Sequence, residues 1–401
     1  DYNRVEGVLT RFDAQYNVDI TSRLSGFARL YLGRDTADSI SLAPGYATTC
    51  SAQQGAVASQ CGVNTRSVGL WQGVEVQGTY DFLGDGRLPL MVGVDGRLRQ
   101  VGMDSERTLV STGQSLGSSG GMQSNGFTLS AYVQQRAKVT SWLSLHAGVR
   151  YDFVKDSGKG YPTPPTANPV TLTQLPDVTN DAASPRLAVL LFPTKSTTIH
   201  AQAGTAFRAP APQELFYSSS AFFTLPKDLR RETVRSAEVG VRQSFGVHRA
   251  MLTGFASEWR GLIGIGGTTA AGISFRNAGT IENYGTNAAL EGSFLSTKLQ
   301  YGLSFTYGYA RRLATPNDAN VSATVRPVVE ANKELADDKI ALVGSPEAYG
   351  NAHVSYTLDD DLPTVGVATS ILSQRLSNLG YSDTIFIGGP PVGPPPTTNA
   401  G

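Results

Sequence analysis

The chain has 401 residues, 33 Lys plus Arg against 33 Asp plus Glu, and a charged fraction of only 16%. A net charge of zero gives no footing for a nucleic-acid partner, and the charged fraction lies below the roughly 25% usual for soluble domains. Abundant Gly (44) and equal numbers of Tyr and Phe (16 each) disfavour helix bundles, since each helical Gly costs about 1 kcal/mol relative to Ala.

Period-two alternation of apolar and polar residues then carries the assignment of an all-β chain. Fourteen strands are read near 5–18, 24–34, 66–83, 88–103, 124–138, 142–155, 183–193, 197–208, 232–246, 248–262, 272–294, 298–311, 346–358 and 363–375. In the third, Val74, Val76, Tyr80 and Phe82 alternate with Glu75, Gln77, Thr79 and Asp81. In the fourth, Leu90, Val92 and Val94 alternate with Gly93, Asp95 and Arg97. In the sixth, Leu143, Leu145, Ala147, Val149, Tyr151 and Phe153 oppose Ser144, His146, Gly148, Arg150 and Asp152. The pattern returns in the ninth with Ala237, Val239 and Val241 against Glu238, Arg242 and Ser244. In the twelfth, Leu299, Tyr301, Leu303, Phe305 and Tyr307 oppose Gln300, Gly302, Ser304 and Thr306.

Connection lengths separate a membrane barrel from a soluble sandwich, which also alternates. Links after odd-numbered strands are tight, as at 84–87, 193–196, 246–247 and 359–361. Those after even-numbered strands are mostly long and polar: 35–65, 104–123, 156–182, 209–231 and 312–345. Strict short–long order is the habit of outer-membrane up-and-down barrels, with short periplasmic turns and long extracellular loops. Tyr80, Phe82 and Trp142 near one end, and Tyr151, Phe153 and Trp259 near the other, are expected to form interfacial aromatic girdles. The longest apolar run, Leu187 to Phe192, is far short of the roughly 18 residues a membrane helix requires.

Other features are weaker. Cys50 and Cys61 lie close together in a polar segment and suit a disulfide in an oxidising compartment. Four scattered His (His146, His200, His248, His353) offer no metal-ligand spacing, and no cofactor is expected. Gly113-Gln114-Ser115-Leu116-Gly117 matches a nucleophile pattern, but that motif needs a strand-to-helix elbow and here lies in a Gly/Ser-rich loop. Asp359 to Asp361 read as a solvated hairpin tip. No Ser, His and acid cluster is evident, so an enzyme is not expected. Asp1 opens the chain without a signal pattern and a Pro/Gly-rich stretch (Gly389 to Pro396) closes it, so 1–401 reads as a barrel domain trimmed at both ends.

From Ser184 to Gly292 the motifs are similar to those of TonB-dependent receptors. Ser184-Pro185-Arg186-Leu187 opens a strand, followed by Phe207-Arg208-Ala209-Pro210 and then Gln213-Glu214-Leu215-Phe216. Next come Leu229-Arg230-Arg231-Glu232-Thr233 with Ser236, Glu238, Val239 and Gly240. Asn277-Ala278-Gly279 and Leu290-Glu291-Gly292 complete the series. Arg231 stands where the family often has Pro, Asn287 where it has Gly, and Ala289 where it has an acid.

The resemblance implies a 22-stranded barrel closed by an N-terminal plug, neither of which this chain contains in full. It also implies uptake of a scarce nutrient such as a ferric siderophore, with energy delivered by TonB through a TonB box and the plug. A passive porin-like or adhesin-like barrel is the alternative. Arg97, Arg99, Arg150, Asp152, Glu238, Arg242 and Glu291 are expected to face the lumen, since Arg facing lipid at mid-depth would cost about 2–4 kcal/mol. Phe216, Tyr217, Phe222, Phe223, Lys227, Arg230 and Arg231, in the 209–231 loop, are the candidates for contact with an aromatic, anionic chelate.

Overall fold

Alternating residues of opposite polarity can satisfy two solvents only as strands, and strands dominate the computed structural model. It describes residues 4–42, 61–109, 114–161, 171–219, 224–226, 228–268, 272–277, 279–313, 339–341, 346–358 and 363–373. In chain order these form β1 (Arg4–Asp19), β2 (Leu24–Leu42), β3 (Cys61–Asp81), β4 (Pro89–Leu109), β5 (Gln114–Lys138), β6 (Leu143–Gly160) and β7 (Thr173–Gln174). Then follow β8 (Val178–Leu191), β9 (Thr197–Arg208), α1 (Pro212–Phe216), β10 (Ser218–Ser219), β11 (Glu232–Phe245), β12 (His248–Arg260), β13 (Ile263–Thr268) and β14 (Gly272–Asn277). The series ends with β15 (Thr280–Phe294), β16 (Leu299–Leu313), β17 (Lys339–Ala341), β18 (Ala348–Thr357) and β19 (Thr364–Leu372).

Seventeen strands share one sheet, and β13 and β14 form a separate hairpin. Three of the seventeen (β7, β10, β17) are pieces of two or three residues, which leaves the fourteen long strands read from the sequence. Each long strand pairs antiparallel with the next long strand in chain order, from β1–β2 through β18–β19. Among the described residues β1 and β19 do not pair with each other.

Several strands run longer than their periodicity suggested. β2 continues to Leu42, and β4 and β5 approach within a few residues of each other, at Leu109 and Gln114. Pairing persists there although the residues are mostly small or polar, because ladder hydrogen bonds do not depend on apolar patterning. Register shifts at Ser105/Glu106 and Arg107/Thr108 absorb the irregularity as bulges. The segment expected as one strand over 272–294 is divided, with β14 folding back on β13 before β15 begins. The nucleophile-like stretch Gln114 to Gly117 lies in β5, in a strand and not in the expected loop, and without the helix an elbow needs. Cys50 and Asp359 to Asp361 lie outside the described residues.

One sheet face is apolar. Along β6, Leu143, Leu145, Ala147, Val149, Tyr151 and Phe153 share it. Ten steps of about 3.3 Å on a strand tilted about 40° give roughly 25 Å, the height of a barrel's lipid band. At the tight-turn end an aromatic row closes the band. His248 lies 4.8 Å from Phe294, which stacks 5.4 Å from Tyr301, and Tyr80 meets Phe82 edge-on at 5.1 Å. At the loop end Arg311 lies over Tyr284 (5.5 Å) and Tyr309 (5.8 Å) and bonds Glu282 at 2.9 Å. Trp259 is not part of this outer row. The register sets it opposite Val234, on the other face, because its parity along β12 follows Ser257 and Phe255.

Candidate functional site: the polar wall and the mouth

The polar face is the inner, concave one. Side chains on it meet across an intervening strand, as Tyr31 of β2 does with Asp95 of β4 at 2.8 Å. Two strand spacings amount to about 10 Å, so such contacts need the face to curve toward itself or long side chains to bridge a gap. Both occur here: the middle strand offers Gly73 beneath Tyr31, and Gly93 beneath Tyr132. An added β-carbon at either glycine would run into the tyrosine ring.

On this face β1 to β6 carry a continuous charge network. Arg29 pairs with Asp13 at 2.6 Å. Tyr132 donates to Glu75 and Gln77, each at 3.0 Å. Arg97 reaches the Tyr31 hydroxyl at 3.2 Å and Asp95 at 3.8 Å. Arg150 bonds Asp152 at 2.8 Å and Asp95 at 3.4 Å, while Ser130 donates to Asp152 at 2.6 Å. Arg99 approaches Asp156 at 3.4 Å. Each buried carboxylate thus has a cation or hydroxyl partner, as burial of charge demands.

The expected lumen residues therefore share one face but not one cluster. Arg97, Arg99, Arg150 and Asp152 belong to the network. Glu238 sits apart, bonded to His200 at 2.8 Å, and Glu291 pairs with Arg249 at 2.8 Å near the tight-turn end. Arg242 has no ion-pair partner among the described residues. Asp13, Arg29, Tyr31, Glu75, Asp95 and Tyr132 were not singled out from the sequence, although the parity of β4 already set Asp95 beside Arg97.

The mouth is built from the motif residues. Arg208, ending β9, forks to two carboxylates. Its Nη2 and Nε meet Glu232 at 2.7 and 2.9 Å, and its Nη1 and Nη2 meet Glu214 at 2.9 and 3.0 Å. Glu214 also accepts from the Ala211 amide at 2.6 Å, which starts α1, with Pro212 in its first turn. Glu232 accepts from the Ile263 amide at 2.6 Å and so ties in the β13–β14 hairpin. Asn277 seals the other end through Arg230 and Gly261. Buried Pro210 turns the chain inward. Gly240 and Gly292 lie away from this cluster, and β-carbons there would strike His200 and His248 respectively.

This anchoring places α1 on the inner face of β5 and β6. Phe216 is 1% exposed and packs with Met122, Leu215 and Leu229, over Gly158 and Gly160. It is a core residue of the mouth, so it does not present its ring to a ligand. Its apolar ring is better covered by Met122 and the glycine floor than by water. Tyr217 beside it bonds Ser105 at 3.0 Å, and burial pushes its phenol pKa up. β10 then pairs with Gly120 and Gly121 of β5. Of the other loop candidates, Arg230 and Arg231 are exposed, and Arg231 bonds the Asp181 backbone on the outer rim. Phe222, Phe223 and Lys227 lie outside the described residues.

A family model described as TonB dependent receptor-like, beta-barrel, matches residues 1–390. No curated protein sequence matches. Among solved structures, the ferric yersiniabactin uptake receptor FyuA from Yersinia pestis aligns with a TM-score of 0.65 at 12% identity, over 91% of this chain and 49% of that one. The ferric citrate transporter FecA aligns at 0.63 and 15%, over 88% and 47%. The copper transporter OprC aligns at 0.65 and 13%, over 94% and 55%. The chain spans about half the length of these solved proteins. An outward apolar band, an inward charged wall and alternating turns and loops are what such a barrel requires, and the chain belongs to the TonB dependent receptor-like β-barrel family of the bacterial outer membrane.

Proposed function

We propose that this chain forms wall and mouth of a receptor that takes up a scarce nutrient, a ferric siderophore or similar metal chelate, energised through TonB. In this reading it is one stretch of a larger barrel domain, and the TonB box and a lumen-filling plug belong to the same protein. The observation that carries the reading is the anchored mouth. The segment from Arg208 to Ser219 folds inward and is fixed by two carboxylates, a buried ring and a strand pairing. A passive pore would use such a segment as a constriction, and a selective receptor gains from it a rigid floor for its binding loops; the family match favours the receptor. Capture falls to the exposed Arg230 and Arg231 with Phe222, Phe223 and Lys227 of the same loop, while Phe216 and Tyr217 anchor the described part of that loop to β4, β5 and β6.

Radiolabelled iron uptake in cells expressing the full protein tests this, with ferric citrate and a panel of ferric siderophores as probes. Uptake of one chelate that stops when a protonophore collapses the proton gradient is expected. Gradient-independent entry of unrelated small solutes would support a passive barrel instead.

A further inference from the structure

The inner wall is chemically divided. On β1 to β6 charged side chains stand at mid-depth and are tied to one another, as Arg29, Asp95, Arg150 and Asp152 show. On β12, β15, β16 and β18 the inward positions are different. Register sets Asn287 opposite Thr306 and Ser304 opposite Asn351, while Thr253, opposite Asn287, is buried beneath them. Ser257 faces Asn283, and Gly285 faces Gly308. Between the Arg249–Glu291 pair at the tight-turn end and Ala310 toward the loop end, no inward position of these four strands is Asp, Glu, Lys or Arg. The Phe255 ring reaches over Gly285 and Gly308, so the middle of this wall offers an aromatic surface and amide and hydroxyl groups.

We propose that the inner face of β12, β15, β16 and β18 is the lane along which a hydrophilic, hydrogen-bonding solute crosses the barrel, and that the charged face of β1 to β6 is not. This rests on the uptake reading above and specifies its path. Passage needs contacts strong enough to admit a solute and weak enough to release it. Fixed charges in a poorly screened interior attract opposite charge strongly and repel like charge, so a charged chelate would be trapped or refused along β1 to β6. Neutral hydroxyl and amide groups exchange solute for water at about 0.5–1.5 kcal/mol per hydrogen bond, a barrier crossed readily. A succession of Thr, Asn and Ser at neighbouring inward positions supplies the next partner before the last is released.

The test uses the full protein in living cells, with Cys50→Ser and Cys61→Ser as background. Single cysteines are introduced at the lane, as Thr306→Cys or Asn287→Cys, and on the charged wall as Thr128→Cys, which the register sets beside Arg97. The probe is a membrane-impermeant sulfonated maleimide, and rates are normalised to each variant unfolded in detergent. Cationic neighbours favour both the thiolate and an anionic reagent, so chemistry alone biases the result toward Thr128→Cys. In energised cells the lane cysteines are expected to react at least about tenfold faster than Thr128→Cys, the reagent's access outweighing that bias. Equal rates, or faster reaction at Thr128→Cys, would overturn the lane. Lane labelling that is fast and unchanged by a protonophore would keep the lane while removing energised uptake, so the two proposals fail separately.

Discussion

Arg208 holds Glu214 and Glu232 in one guanidinium fork, and Glu232 is 1% exposed. Removing the cation leaves that carboxylate buried without its charge partner. Such a loss costs about 3–5 kcal/mol when both groups are buried. Arg208 is itself partly solvated, so Arg208→Ala is expected to cost nearer about 2 kcal/mol. The measurement is the shift in urea midpoint of the folded barrel, and no shift would mean that the fork is ornamental. The motif gave Arg208, Glu214 and Glu232 as family residues, but their shared bond was not legible. They lie 6 and 24 positions apart from Arg208, and no local periodicity links them.

At the scale of elements, α1 depends on a floor without side chains. A β-carbon at Gly158 would stand 2.6 Å from the Phe216 ring, and overpacking of this kind costs about 1–3 kcal/mol. Gly158→Ala is therefore expected to lift α1 and speed trypsin cleavage at Arg230 and Arg231, with the long strands unchanged. Cleavage at the wild-type rate would show that the segment seats elsewhere. The turn between β3 and β4 is stabilised differently. Asp85 accepts from the Arg87 amide at 3.0 Å and its side chain at 2.6 Å, and these bonds hold its carboxyl below the usual range. A depressed pKa stabilises the fold fully above the ordinary carboxylate value and loses that effect as pH falls through the folded value. Exchange of the Arg87 amide, corrected for intrinsic rate, should thus accelerate only as pH drops below the usual carboxylate range. Asp85→Asn should remove that step.

Over the whole molecule, one residue of register decides everything, since it exchanges the lipid face for the lumen. Val94 is 48% exposed on the apolar face, while its neighbour Asp95 is buried among inner-face partners. Val94→Arg is expected to cost about 2–4 kcal/mol at mid-span, whereas the same Arg at the inward Thr306 should cost little. The fraction migrating as folded barrel on unheated gels measures both. Equal losses at the two sites would contradict the assignment of faces.

The sequence by itself determined the number of long strands, their approximate positions and the face of nearly every residue on them. All of these follow from a period of two repeated along neighbouring segments. It determined less well where strands stop, because β2, β4 and β5 keep pairing through mostly small or polar stretches where the alternation of apolar and polar residues fades. Trp259 was misplaced by its position near a strand end, when its parity already pointed inward. Only the tertiary structure decided what the loops do. Phe216 looked like a solvent-facing aromatic beside cations, yet it is buried, because Met122 and two glycines of distant strands form a socket for it. The charge network had the same origin: its partners lie on different strands, and curvature and intervening glycines, not spacing along the chain, bring them within hydrogen-bond reach.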